Sequence, residues 1–185
     1  MEKANNPLSL GSATYAAKRA ADIIVILQNK DNLDNAKLVL QLNKTLQGYG
    51  EKNEVTNADL KNLRLVAQGL LAVFSTSDTK KAVSLLNGLL QEYAGAPRLS
   101  DHGGSLWHIH VDSSDHAPWA EWLASSSALA LAILLAEKQR NPGGLCASLS
   151  CGRPFIDLGK GGGRSYCSPR CATRERVSAY RKRTT

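Results

Sequence analysis

Apolar positions in the first 95 residues recur every three or four places, the spacing that gathers one stripe on one side of a helix. Four helices follow from it. The first begins after Ser12 and carries Ala16, Ala20, Ile23, Ile24 and Leu27 on one face. The second starts after Asp34, presents Leu38, Val39, Leu42 and Leu46, and stops at Gly48-Tyr49-Gly50. Thr56 and Asp59 have the spacing of a capping box and open a third helix, with Leu60, Leu63, Val66, Leu70 and Phe74 as its stripe. Ser77 or Asp78 caps a fourth, which carries Val83, Leu86, Leu89, Leu90 and Tyr93 and ends at Gly95 and Pro97.

Beyond Arg98 the period changes. Leu99 and the run Leu106-Trp107-His108-Ile109-His110-Val111, placed around Gly103-Gly104, predict a small β-hairpin. A long helix then spans about Pro118 to about Gln139. It is apolar on nearly every side, as the central helix of a bundle must be. Its uncharged alanine- and leucine-rich stretch, Leu123 to Ala136, has 14 residues and three serines, too short for a bilayer crossing. The start of the chain (Met1-Glu2-Lys3-Ala4-Asn5-Asn6-Pro7) lacks an apolar signal region. A cytoplasmic protein with no membrane partner is therefore expected.

At 185 residues, 43% apolar and 21% charged, the chain has mass for one mid-sized core, or a core with a small appendage. Intrinsic disorder, collagen-like repeats and long coiled coil are excluded by composition. Charge divides the chain. Residues 141–185 hold nine of the 23 basic and two of the 16 acidic residues, a net +7, and leave residues 1–140 neutral. All four cysteines lie in the same tail, and Asn141-Pro142-Gly143-Gly144 marks the seam with turn-forming residues. Two parts are expected, a body over 1–140 and a basic module over 141–185.

The module's cysteines are spaced Cys146-x4-Cys151-x15-Cys167-x3-Cys171. Two close pairs joined by a mid-length loop suit one tetrahedral Zn²⁺, because each pair sits on one tight turn and the loop lets the turns face each other. Two disulfides or four free thiols are the alternatives, and a reducing cytosol disfavours the first. A 45-residue segment with few large apolar groups cannot fold on burial alone, whereas metal ligation supplies folding energy directly. Cys151 to Asp157 reads as a knuckle turn leading into a short strand, with Gly152 suited to a positive φ. The glycine-rich run Gly159 to Arg164 reads as a flexible hairpin tip, since a phosphate-binding P-loop pattern is absent.

Ser168 and Pro169 have the character of an N-cap and a first helical residue, which places Cys171 in the first turn of a closing helix. Val177 and Tyr180 are expected to pack that helix on the knuckle. Its other faces are basic. Lys160, Arg164, Arg170, Arg174, Arg176, Arg181, Lys182 and Arg183 are the candidate contacts to nucleic acid, with phosphates dominating over base readout.

Other chemistry is weaker. His108 and His110 alternate on a strand and would face one side, with His102, His116, Asp101, Asp112 and Asp115 nearby. No third ligand has diagnostic spacing, so a polar strand face is preferred to a second metal site. Ser125-Ser126-Ser127 lies mid-helix without a nucleophile elbow, and no enzyme is expected. Trp107, Trp119 and Trp122 are core anchors by default, and between hairpin and long helix they could line a pocket for a small-molecule effector.

The tail resembles the CGNR zinc finger found at the end of bacterial ABATE-domain proteins, described as stress-induced transcription regulators. The resemblance rests on Cys146-x4-Cys151-Gly152, Phe155 with Asp157, Arg164, Tyr166-Cys167-Ser168, Cys171 and Arg174-x-x-Val177-x-x-x-Arg181. The family's Cys-Gly-Asn-Arg is Cys171-Ala172-Thr173-Arg174 here, and Gly161-Gly162-Gly163 replaces a more polar loop. The body resembles the ABATE region through Thr56-Asn57-Ala58-Asp59-Leu60, the late hairpin and the long helix. What the resemblance implies is a helical sensor or dimerisation domain joined to a zinc-dependent nucleic-acid-binding end, with DNA as the expected partner and a homodimer as the expected assembly. The expected fold is mainly α: a helical bundle with a small hairpin, then a treble-clef-like or ribbon-like four-cysteine finger ending in a basic helix. The competing reading is a zinc-stapled protein that binds RNA, an acidic protein or a small molecule without reading DNA sequence.

Overall fold

The structure, a computed structural model, describes residues 10–28, 34–101, 107–159 and 163–184. The N-terminal segment 1–7, the hairpin tip at Gly103-Gly104 with His102 and Leu106, and Lys160 with Gly161 and Gly162 lie outside these residues.

Five helices build the body: α1 (Leu10–Leu27), α2 (Asn35–Gly48), α3 (Leu60–Ser75), α4 (Thr79–Tyr93) and α5 (Trp119–Lys138). Local chemistry starts α2, α3 and α4 where the sequence predicts, whereas Ser12, expected to precede α1, lies inside it. Asp34 accepts from the Ala36 amide, and Asp78 accepts from the amides of Lys80 and Lys81. Thr56 donates through both its amide and its hydroxyl to Asp59 Oδ2, at 2.8 and 2.7 Å, and a turn of 3₁₀-helix over Asn57–Asp59 leads into α3. On α4 the expected stripe is rotated slightly. Ala82 is fully buried and Val83 is 38% exposed, because Ala82 rather than Val83 shares a face with Leu86 and Leu89.

α5 is the spine. It packs against α1, α3 and α4 and buries more than half of its circumference, from Leu123 and Ala124 to Leu131 and Leu134. It is long and apolar enough to cross a bilayer, yet here that apolar surface is spent on three neighbouring helices. Two strands, β1 (Arg98–Ser100) and β2 (His108–His110), pair antiparallel with Leu99 opposite Ile109.

The seam at Asn141 to Gly144 is not a turn-rich linker. Gly143–Leu145 forms strand β3, which pairs antiparallel with β4 (Pro154–Ile156). A Cβ on Gly143 would come within 2.1 Å of the Phe155 carbonyl oxygen and 3.2 Å of the Phe74 ring. The glycine is there for close approach rather than for flexibility. β4 lies against α1 and α3, and Ile156 is part of the main core. The chain closes with α6 (Pro169–Thr184).

Candidate metal centre and its basic helix

Two local structures bring the four cysteines together. Cys146 follows β3 and Cys151 precedes β4, so the first pair sits on the hairpin that joins them. The Cys151 amide donates to the Ser148 carbonyl at 2.9 Å to close the knuckle, and Gly152 follows with φ +61°. Cys167 and Cys171 flank the start of α6, where Ser168 Oγ accepts the Cys171 amide at 3.3 Å. A knuckle hairpin and a helix N-terminus thus supply two sulfurs each.

The sulfur of Cys167 lies 3.7 Å from those of Cys151 and Cys171, and all four lie within 4.8 Å of one another. A tetrahedron with Zn–S bonds of about 2.3 Å has edges of about 3.8 Å. The donor set and its spacing fit one structural Zn²⁺. Burial and its thiol neighbours push Cys167 up to about 12, whereas the Ser168 hydroxyl and the same neighbours bring Cys171 down to about 7. Zn²⁺ binds thiols as thiolates, so ligation displaces their protons and supplies folding energy to the module.

Further groups steady the sulfurs. The Cys167 amide donates to Cys146 Sγ at 3.4 Å. Arg174 Nη2 lies 3.4 Å from Cys171 Sγ and donates to Ser148 Oγ at 2.8 Å, and that hydroxyl donates to Glu175 Oε1 at 2.7 Å. Arg174 therefore faces the cluster, where its charge offsets thiolate charge. Arg164 is also engaged within the module. It donates through Nη2 to the Ile156 carbonyl at 2.7 Å and pairs with Asp157 at 3.3 Å. Asp157 is 2% exposed and also accepts the Gly159 and Arg164 amides and Arg140 Nη1. The loop expected to be a loose hairpin tip is thus organised around one carboxylate at both described ends.

The orientation of α6 corrects the expectation for Val177 and Tyr180, which are 43% and 62% exposed. Cys171 fixes the rotation of the helix; Glu175 and Ser178, four and seven places on, are half-buried beside it, and the exposed Arg174 bends its guanidinium back to Ser148 and Cys171. Val177 and Tyr180, at six and nine places, turn away from it. Arg170, Arg176, Arg181, Lys182 and Arg183 are all exposed.

In the body, His108 and His110 lie on one side of β2 with ring centroids 4.6 Å apart. His110 Nδ1 is 3.2 Å from Asp112, which Arg98 holds at 2.6 Å while reaching Asp115 at 2.5 Å. Among the described residues, the four cysteines are the one group of three or more such side chains close enough to share a metal. Trp119 and Trp122 meet edge to face at 5.0 Å and line an open cleft of about 960 Å³ with Glu51, His110 and Asp112, whereas Trp107 stands 65% exposed away from that lining. Sequence reasoning missed the buried Arg19, which stacks 4.0 Å over Trp122 and pairs with Glu51 at 2.8 Å. Its one signal was a cation inside an otherwise alanine- and isoleucine-rich helical face.

No curated protein matches the chain. The knuckle hairpin, the sulfur cluster and α6 together span the segment of this chain, residues 144–184, that matches the CGNR zinc finger family.

Proposed function

We propose that this chain is a cytoplasmic bacterial transcription regulator, not an enzyme, whose finger binds duplex DNA through α6. The observation that carries the reading is a basic helix whose start is built into the sulfur cluster. Its first turn is fixed by the cluster, and its later turns carry Arg176, Arg181, Lys182 and Arg183 at the surface. A rigid cationic helix on a neutral body suits a polyanion. Four thiolates with one Zn²⁺ carry about −2, so the +7 tail retains about +5. The zinc acts in structure alone: it holds the knuckle against the helix and sets the direction of α6. The cleft at Trp119 and Trp122 supports an effector-sensing role for the body, since it combines aromatic walls with charged groups beside the core.

A salt series with a random duplex tests the reading. Three to five neutralised phosphates give a slope of about −3 to −5 on logarithmic axes. A slope near zero, or tighter binding to RNA than to duplex DNA at the same salt, would overturn it.

A further inference from the structure

The outward turn of Val177 and Tyr180 gives α6 a third kind of surface besides its sulfur side and its charge. At about 100° per residue, Thr173, Val177 and Tyr180 lie on the side of the helix opposite Cys171 and form one strip at i, i+4 and i+7. All three are exposed. Arg176 and Arg183 border the strip on one side, and Arg170 and Arg181 border it on the other. Arg174 is absent from both borders because it is turned to the cluster.

We infer that this strip is the sequence-reading face of the finger, seated in the major groove of duplex DNA with thymine methyl groups as its targets. The inference rests on the DNA-binding reading above and deepens it. A helix with side chains is about 10–12 Å across, and the major groove is about 12 Å wide. Seven residues of rise span about 10 Å, or about three base pairs. In that pose the strip meets base edges while the two arginine borders reach the phosphates on either wall. Val177 and the Thr173 methyl offer apolar contact, which among the four bases only the C5-methyl of thymine answers in the groove. Tyr180 adds a ring edge and a hydroxyl that can donate or accept. A second copy of this chain is a poor occupant, because the same arginines would face each other across the contact.

The experiment uses the zinc-loaded full chain and a duplex library with a randomised core. Selected and scrambled duplexes are then compared for the parent protein, Val177→Ala, Tyr180→Ala and Arg176→Ala, each checked for zinc content and helicity. The parent should prefer the selected duplex, and Val177→Ala should lose about fivefold or more of that preference with its salt slope unchanged. Replacing the contacted thymine by uracil should cost the parent a similar factor and Val177→Ala almost nothing. Arg176→Ala should weaken both duplexes alike and reduce the slope by about 1. Binding without preference in the parent, or a preference that survives Val177→Ala and Tyr180→Ala unchanged, would overturn the reading face while leaving DNA binding in place. A parent dimer that these substitutions break would overturn it too. Absence of binding to any duplex at low salt would instead remove the DNA reading and this inference with it.

Discussion

Each oxygen of the buried Asp157 carboxylate has two partners, the Gly159 amide and Arg164 Nε on one, the Arg164 amide and Arg140 Nη1 on the other. Burial alone would raise its pKa, but the two amides and Arg140 outweigh it and hold the group below the ordinary carboxylate range. The folded chain therefore binds this proton less readily than the unfolded chain. Its stabilisation is complete above about pH 4 and is lost as the pH falls through the lowered value. Asp157→Asn imitates the protonated group. At pH 7 it should cost about 1–3 kcal/mol in denaturant unfolding, and the gap to the parent should close below about pH 4. A gap that is constant with pH would show that shape, not charge, is what Asp157 contributes. The caps at Asp34, Asp78 and Ser168 are legible in the sequence because each partner lies within three residues. The Arg140–Asp157 pair spans 17 positions, and no local rule finds it.

At the scale of elements, the same distinction explains what the apolar pattern can and cannot reveal about α6. Periodicity identifies the helix and its start, but it puts Val177 and Tyr180 inward because they are the large apolar groups of the segment. The rotation is set by sulfur ligation at Cys171 and by Ser148, a knuckle residue that accepts from Arg174 and donates to Glu175. Those are tertiary contacts across 26 and 27 positions. β3 escapes the pattern for a related reason: a glycine pair signals a turn unless a partner 12 residues on, the Phe155 carbonyl across the ladder, demands a close approach, with the Phe74 ring behind it. The rotation also separates the arginines by role. Arg174→Ala removes a cation 3.4 Å from a ligand sulfur and should lower zinc affinity by about tenfold or more in chelator competition. Arg176, whose Nε donates to the Ala172 carbonyl on the helix itself, should leave zinc affinity unchanged when replaced by alanine. Equal effects from the two substitutions would contradict this division.

At the scale of the whole molecule, finger and body share surface. α5 carries Trp119 and Trp122 at the cleft in its first turns, its last residue Lys138 donates to the Leu158 carbonyl, and Arg140 just beyond reaches Asp157. β4 places Ile156 in the core between α1 and α3, and Asn141 donates to the Thr76 carbonyl. Zinc therefore stabilises more than the segment that ligates it. Without the ion the knuckle loses its clamp and the 16-residue α6 loses the anchor that orients its single-sign surface. The five body helices keep their own apolar contacts, but Ile156 reaches the core from the β3–β4 hairpin, whose far end is the knuckle that carries Cys146 and Cys151. Burying such a side chain is worth about 1.5–3 kcal/mol. In a chain of this size that corresponds to a fall of several degrees in the body's melting temperature. Chelation, or Cys167→Ser, should remove the α6 contribution from far-ultraviolet circular dichroism. Near-ultraviolet tryptophan signals should persist, because Trp107, Trp119 and Trp122 all precede the finger. The melt should then occur several degrees lower. A body melt unmoved by zinc removal would mean that the β3–β4 hairpin keeps its place on α1 and α3 without the metal, and that the two parts of the chain are stabilised independently.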